Sequence, residues 1–312
     1  MSKPSKKNNK LIGIIAGAVI LIISAIFTFG PKNVWKSTIA QTDTKTAQTA
    51  QIQQSDAAAQ PLSVHFIDVD QGDSTLICFE GHHILIDCAK QAYAENVYAY
   101  LEGLEIDSLD MVIATHPDAD HIGGISGLLD MMKPQVYLLP QISPNIKKTQ
   151  TELTLLNKLK TYNVHTEYAV NEKVYTFGEM RLTTYITQLE QDDKNEYSIV
   201  TKVEYQNASY LFMGDAGKSV EKEFMRNNAP LQADVLKAGH HGSSKSSSRD
   251  FISYVHPRYC VFSCGLDNDY GHPHNEVLKI MKKQKVTCYR TDYNGTVVIG
   301  TDGSHYTTAC EK

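Results

Sequence analysis

A short segment rich in metal-binding side chains constrains this chain more than any other feature. Four such side chains occur within six residues, directly after an apolar run at 110–115: His116, Asp118, Asp120 and His121. A strand that ends in a loop and leads into a helix can aim these groups at one point, and the positive end of the helix dipole favours carboxylates there. Imidazole and carboxylate together suit zinc, manganese or iron. A polar loop with capping aspartates is the alternative, but it would not require two histidines followed by two glycines.

The N-terminal residues have the composition of a membrane anchor. Residues 1–10 contain four lysines, and residues 11–30 form an apolar run without charge. About 20 apolar residues are enough to span a bilayer as a helix. Basic residues before such a run place the N-terminus in the cytoplasm. We therefore predict a basic cytoplasmic stub at 1–10, a transmembrane anchor at 11–30 and an extracytoplasmic remainder at the cell membrane. A cleaved signal peptide, which would give a secreted protein, is the alternative.

The rest of the chain divides into a linker and one domain. Residues 31–60 include a stretch rich in Thr, Gln and Ala without periodicity, which predicts a flexible linker. Residues 61–312 are rich in apolar residues and predict a single folded domain. The formal net charge of the whole chain is −5. Because the four lysines of the stub are part of that sum, the domain is more acidic still. This argues against broad, salt-sensitive binding of nucleic acid, although it does not exclude a local basic groove.

The cysteine pattern leaves two interpretations open. The chain has six cysteines, an even number that permits disulfides in an exported protein. No Cys-x-x-Cys spacing of the zinc-binding type is present in the sequence. We favour small buried thiols on strands over disulfides.

Short β-type runs separated by single helices fill the predicted domain. This order predicts an α/β fold with two packed sheets and helices on the outside. Strands are predicted at 64–69, 74–79, 83–87, 110–115, 136–139, 164–168, 180–186, 197–205, 209–213, 233–237, 259–263, 285–291, 295–299 and 305–308. Helices are predicted at 92–104, 121–132, 151–161, 217–227, 247–254 and 275–283.

The segment at 116–121 resembles the His-x-His-x-Asp-His signature of the metallo-β-lactamase superfamily. Its His-x-Asp-x-Asp-His form, followed by Gly-Gly, is similar to the hydrolase domain of ComEC-type competence proteins, which belong to DNA uptake. Further segments match that family in order at 84–87, 211–215, 236–243 and 268–273. The resemblance covers about 62–308. It implies a four-layer αββα sandwich with two divalent metal ions, zinc or manganese, at the edge between its sheets.

The same resemblance implies roles for individual residues, and the role of Lys237 is inferred from its position close to His240. The implied metal ligands are His116, Asp118, Asp120, His121, Asp215 and His240. The residues expected to act on the substrate are Asp120, His272 and Lys237. The expected supporting residues are Asp87, Asp73, Asn195 and His241. Asp87 would orient an imidazole. Turn chemistry remains an alternative for Asp73.

Two departures from the superfamily pattern concern the first metal. Asp118 stands where most members have a histidine, a change that the competence subgroup shares. The superfamily also has a further histidine before the segment of Asp215, and His165 is the only histidine there, without a matching context. Asn195 resembles a subgroup position and could serve as a weak ligand or a hydrogen-bond donor. An oxygen-rich first site favours manganese over zinc.

The expected chemistry is hydrolysis. Two metal ions about 3.5–4 Å apart lower the pKa of a bound water, so that hydroxide is available near neutral pH. The resemblance implies a phosphodiesterase of nuclease type, with DNA or another phosphodiester as substrate. The membrane is the one other predicted partner, and no protein partner follows from the sequence. The alternatives are a hydrolase of cell-wall phosphodiesters, a β-lactamase, which is disfavoured by Asp118, and a metal-binding domain without turnover.

Overall fold

Two mixed β-sheets form the centre of the protein, which a computed structural model describes over residues 48–312. The first sheet has eight strands in the order β15-β14-β1-β2-β3-β4-β5-β6. Their bounds are β1 (Leu62–Phe66), β2 (Thr75–Phe79), β3 (His82–Ile86), β4 (Met111–Ile113), β5 (Val136–Leu139), β6 (Thr166–Tyr168), β14 (Val297–Thr301) and β15 (Tyr306–Cys310). Strands β3 to β6 are parallel, and the other pairs are antiparallel.

The second sheet has seven strands in the order β13-β12-β11-β10-β9-β8-β7. Their bounds are β7 (Lys173–Phe177), β8 (Met180–Tyr185), β9 (Val200–Tyr205), β10 (Ala208–Phe212), β11 (Val235–Lys237), β12 (Tyr259–Phe262) and β13 (Thr287–Arg290). Strands β10 to β13 are parallel, so each sheet has a parallel half next to an antiparallel half.

Helices cover the outer face of each sheet. They are α1 (Ala94–Gly103), α2 (Ala119–Ile122), α3 (Ile125–Met131), α4 (Gln150–Thr161), α5 (Lys218–Arg226), α6 (Arg249–Val255), α7 (Asn275–Gln284) and α8 (Thr291–Asn294), with short 3-10 turns at Gln91–Tyr93, Lys194–Tyr197 and Gly239–Gly242. One apolar cluster joins α1, α3 and α4 to the first sheet, a second lies between the sheets, and a third joins α5, α6 and α7 to the second sheet. The predicted α/β fold with two sheets is confirmed.

Alternation along the strands explains why the layers form. Successive side chains of a strand point to opposite faces of its sheet. In β10, Tyr210 and Phe212 belong to the cluster between the sheets, whereas Leu211 packs under the helices of the second sheet. Strands buried on both faces in this way are rich in large apolar residues, as the parallel halves of both sheets are.

The structure corrects the C-terminal end of the predicted linker. Ile52 and Ala57 are buried in the cluster under α1, and Thr49 Oγ1 donates a hydrogen bond to Glu311 Oε1 across 2.9 Å. The compact unit therefore begins at Thr49, not at residue 61. The predicted stub and anchor at 1–30 lie outside the described residues. From residue 48 onward, no helix combines the length and the apolar character that crossing a bilayer requires.

Other differences from the sequence-based prediction are local. The predicted helix at 121–132 is divided into α2 and α3 by Gly123 and Gly124. A Cβ atom at Gly124 would lie 2.2 Å from the carbonyl oxygen of Cys88, so only glycine permits this approach. Strand β7 was not predicted, because its edge position leaves alternate residues exposed. Within the described part of the chain all six cysteines are free, as the sequence favours.

Candidate metal centre

The metal-binding side chains follow the carboxyl ends of strands in both sheets. Asp87 follows β3, and the segment from His116 to His121 follows β4. In the second sheet, Asp215 follows β10, and two neighbouring histidines follow β11. Parallel neighbours end at the same edge of a sheet, where loops form a crevice outside the carboxyl ends. The two edges together bring these distant segments to one place.

Asp215 is the centre of this arrangement. Its Oδ1 lies 3.3 Å from His121 Nε2 and 3.6 Å from His241 Nε2. Its Oδ2 lies 3.7 Å from His240 Nε2 and 4.0 Å from His116 Nε2. Each carboxylate oxygen therefore faces a separate pair of imidazole nitrogens, which is the arrangement expected of a carboxylate shared between two groups of ligands.

Two aspartates complete the two groups. Asp118 Oδ2 lies 3.6 Å from His116 Nε2, and Asp120 Oδ2 lies 3.6 Å from His241 Nε2. We refer to His116, Asp118 and His240 as the first cluster and to Asp120, His121 and His241 as the second cluster, with Asp215 shared by both.

Several buried atoms of these clusters fit a bound cation. Within residues 48–312, no hydrogen-bond partner is present for four inward-facing atoms: His116 Nε2, His121 Nε2, His241 Nε2 and Asp215 Oδ1. Burying such atoms without a partner is costly, so their convergence needs an explanation. Atoms of Asp73, His121, Asp215 and His241 that can act as ligands lie within 4.8 Å of one another. Imidazole nitrogens and carboxylate oxygens are the ligands that zinc, manganese and iron accept.

Hydrogen bonds on the outer side fix the histidine rings. Asp87 Oδ2 accepts from His121 Nδ1 across 2.7 Å, and the same carboxylate accepts from the backbone and hydroxyl of Thr115 across 2.8 and 2.7 Å. The carbonyl oxygen of Ser263 accepts from His241 Nδ1 across 2.9 Å. Because each Nδ1 is used as a donor, Nε2 of each ring is left to face Asp215. This is the usual orientation of a metal-binding histidine.

Electrostatics in the pocket favour positive charge. Burial opposes ionisation of Asp215, but His241 and His121 nevertheless hold its pKa well below the usual range. Burial opposes protonation of His121, yet Asp215 and Asp87 raise its pKa well above the usual range. The pKa of Asp120 is likewise held low against burial by His241 and His121. The carboxylates are therefore ionised at neutral pH and attract a cation.

The structure changes the assignment of the neighbouring histidines. From the sequence we expect His240 to bind the second metal ion, together with Asp120, and His241 to be a supporting residue. In the structure, His241 takes that place, and His240 belongs to the first cluster. The reason lies in the backbone, since both histidines have left-handed conformations, with φ of 50° and 54°. The turn therefore presents both rings to Asp215.

The predicted contact of Lys237 with substrate is wrong. Its side chain is only 3% exposed, and its Nζ donates to Asp73 Oδ2 across 2.5 Å and to the carbonyl oxygen of Ala238 across 3.0 Å. The ammonium group thus compensates the buried charge of Asp73 behind the site. Asp73 Oδ2 lies 3.9 Å from His121 Nδ1, in agreement with a supporting position for this aspartate.

The remaining predicted residues surround the opening of the site. The side-chain amide of Asn195 lies 3.2 Å from Asp118 Oδ2 when its nitrogen faces that oxygen. His272 stacks against Tyr270 and lies close to His240, with ring centroids 5.5 and 5.7 Å apart. Burial, together with the neighbouring histidines, lowers the pKa of His272 to about 4.

One contact in this region was missed from the sequence, and one expected ligand is absent. The Nζ of Lys194 forms an ion pair with Asp118 Oδ1. The position of Lys194 directly before Asn195 was the one feature of the sequence that could have indicated this contact. His165, the one histidine that could have completed the superfamily pattern, is 65% exposed and pairs with Glu167.

Comparison with known proteins agrees with this geometry. The sequence model of the metallo-beta-lactamase superfamily matches residues 67–265. The chain is 29% identical to ComE operon protein 3 of Bacillus subtilis, over 75% of this chain and 32% of that protein. It is 26% identical to competence protein ComA of Neisseria gonorrhoeae, over 75% of this chain and 31% of that protein. The chain thus spans about a third of the length of these relatives.

A solved structure shows the same fold. CmlA, a diiron beta-hydroxylase from Streptomyces venezuelae, superposes with a TM-score of 0.52 and 13% sequence identity, over 74% of this chain and 53% of that one. At this identity the likeness concerns the fold alone. Membership of a family is shown by the match of the sequence model over residues 67–265. The chain belongs to the metallo-β-lactamase superfamily.

Proposed function

We propose that this protein is a metal-dependent hydrolase that cleaves phosphodiester bonds with two divalent ions. The observation that carries the proposal is the position of Asp215, whose two oxygens face two separate groups of imidazoles. The first cluster would hold one ion, the second cluster would hold the other, and Asp215 would bind both. The oxygen-rich first cluster supports manganese as well as zinc.

The residues divide the work of hydrolysis between them. Bound divalent ions would supply an activated water and neutralise charge on the phosphoryl oxygens. Asp120 is the ligand of the second cluster that solvent reaches, with 23% of its side chain exposed, so it is placed to orient the attacking water. His272 is a neutral imidazole at pH 7 because its pKa is low, and it can donate a hydrogen bond to a phosphoryl oxygen.

A phosphodiester substrate is supported by the relatives and by one residue of the site. The name of one relative refers to competence, and the chain covers about a third of that protein. Asp118 replaces a histidine that β-lactamases usually keep. A β-lactam is therefore the least favoured of the candidate substrates. The acidic domain argues for a local contact with one phosphodiester rather than for a long nucleic-acid track.

We also propose that residues 11–30 anchor the protein in the membrane and that the catalytic domain lies outside the cytoplasm. The uncharged apolar run after four lysines supports this topology. Protease added to intact protoplasts should degrade the domain while leaving a cytoplasmic marker intact. Recovery in the culture medium of a shorter chain that lacks the apolar segment would instead support cleavage and secretion.

One set of assays tests the reaction. The purified full chain, supplied with Mn²⁺ or Zn²⁺, should hydrolyse bis(p-nitrophenyl) phosphate and linear DNA but not nitrocefin. Asp120→Asn should lower the phosphodiesterase rate by at least about 100-fold, because it removes a charge from the second cluster. Asp130→Asn, which changes an exposed aspartate paired with Lys158, is the matched control.

Each other outcome selects a different function. Hydrolysis of nitrocefin alone would identify a β-lactamase. Bound metal without turnover of any of the three compounds would identify a metal-binding domain.

A further inference from the structure

The two clusters around Asp215 differ in their outer partners. In the second cluster, Asp120 faces His241, and within the described residues no lysine or arginine forms an ion pair with it. In the first cluster, Asp118 is paired with the ammonium group of Lys194. The first cluster therefore has a positively charged partner that the second cluster lacks among the described residues.

Lys194 is held in position by the turn that carries it. The turn Lys194–Tyr197 is capped by Asp193, whose Oδ1 accepts from the backbone N–H of Asn195 across 3.1 Å. Ser198 Oγ donates to the carbonyl oxygen of Asn195 across 2.7 Å and accepts from the backbone N–H of Asp215 across 3.0 Å. The turn is thus bonded to the residue that both clusters share, and Lys194 is 27% exposed.

Both oxygens of Asp118 already have partners. Oδ1 binds Lys194, and Oδ2 faces His116 at 3.6 Å and the amide of Asn195 at 3.2 Å. A divalent ion that binds Asp118 must share this carboxylate with the ammonium group. It must also lie close to a like charge, which repels it in a partly buried site. The same ammonium balances the negative charge that Asp118 introduces in place of histidine.

We propose that Lys194 competes with a divalent cation for Asp118, so that the first cluster binds its ion more weakly than the second and is loaded after it. The inference rests on the metal centre of the proposed function but not on its substrate. The alternative is that Lys194 and Asp118 form an ordinary surface ion pair, which stabilises the turn and leaves metal affinity unchanged. If this alternative holds, a substitution of Lys194 that preserves the fold will leave the affinity for metal unchanged.

Metal binding to the full chain tests the proposal without reference to catalysis. Protein freed of metal with a chelator is titrated with Mn²⁺ by calorimetry, and stoichiometry is measured by equilibrium dialysis. The wild type should show two classes of site that differ at least tenfold in Kd. Lys194→Met, which keeps length and removes charge, should tighten the weaker class at least tenfold. Lys194→Arg should resemble the wild type, and Asp118→Asn should weaken only the weaker class.

Lys158→Met is the matched control, because Lys158 is 30% exposed and also pairs with an aspartate, Asp130, but on a remote surface. It should leave both classes unchanged. Two equal classes in the wild type, or a weaker class that Lys194→Met does not tighten, would overturn the proposal. A chain that binds no Mn²⁺ at all would overturn the metal centre itself, so the two failures are distinguishable.

Discussion

Gly242 ends the turn that carries His240 and His241, and its own backbone has φ of +84°. The turn therefore contains three consecutive residues with positive φ, a conformation that is unfavourable for residues with a side chain. Only glycine fits the last position, since a Cβ atom there would lie 2.6 Å from Pro273 and 2.7 Å from Phe262.

We expect Gly242→Ala to lower the free energy of unfolding by about 2 kcal/mol or more, because strain and overpacking add at this position. Weaker Mn²⁺ binding should accompany the loss. Urea denaturation and calorimetry measure the two effects. Gly81→Ala is the control, since Gly81 has φ of +85° but open space around its missing Cβ atom. Equal losses in the two variants would contradict the proposed crowding.

Asp87 illustrates a residue that acts through its neighbour. We expect Asp87→Asn to weaken Mn²⁺ binding about 10–100-fold, since the amide no longer fixes Nδ1 of His121 as a donor. Asp110→Asn is the matched control. Asp110 also bonds a histidine Nδ1, that of His82 at 3.2 Å, but it belongs to no metal cluster. Equal affinity of the Asp87 variant and the wild type, measured by calorimetry, would refute the orienting role.

At the level of residues, the sequence singles out candidates where one position supplies a distinct chemistry. The segment at 116–121 and Asp215 carry side chains with few other uses in such a setting, and the structure brings them together. The sequence could not predict which cluster His240 and His241 each belong to, because this depends on two left-handed backbone conformations. The burial of Lys237 depends on its pairing with Asp73, a residue 164 positions earlier in the chain.

At the scale of elements, His65 joins β1 to α1. Its Nδ1 lies 2.8 Å from the hydroxyl of Tyr100, and its Nε2 lies 2.9 Å from Ser63 Oγ. Burial, with a smaller effect of His83, lowers the pKa of His65 to about 3 from the ordinary value of 6.5. Between these values the unfolded chain binds a proton that the folded chain does not. Stability is therefore lost as the pH falls below 6.5.

We expect His65→Gln to reduce the acid dependence of stability by up to about 1.4 kcal/mol per pH unit between these two values. Urea denaturation at several pH values above the acid limit of the fold measures the slope. His305→Gln, at a side chain that is 86% exposed, is the control and should keep the wild-type slope. Parallel slopes in all three proteins would contradict the assignment.

Most elements followed from the periodicity of apolar residues, and the exceptions have physical causes. Strand β7 lies at a sheet edge, where only alternate residues are half-buried, so its signal is weak. The division between α2 and α3 reflects the close approach of Gly124 to Cys88, a tertiary contact that local sequence does not encode. The packing of Ile52 under α1 is likewise tertiary, because its surroundings are polar in sequence.

At the scale of the whole molecule, the metal centre joins the two sheets. His116 and His121 follow β4 of the first sheet, whereas Asp215 and His241 follow strands of the second. We expect Mn²⁺ at about 100 times its Kd to stabilise the fold by about 2.7 kcal/mol per site, and chelation to reverse this. Thermal denaturation with and without Mn²⁺ measures the shift. Asp215→Asn should abolish most of it, whereas Asp130→Asn should retain it, and a shift that survives in the Asp215 variant would contradict the bridge.

The strand order has a consequence for the synthesis of the protein on the ribosome. β1 pairs with β2 on one side and with β14 on the other, where Leu62 faces Thr301. Every proposed metal ligand emerges before β14 does. A ribosome paused after residue 290 would thus display a chain that has all its ligands but a first strand with one bare edge. Such an edge is a template for strands of other chains. Synthesis of β14 and β15 therefore protects the nascent chain from aggregation.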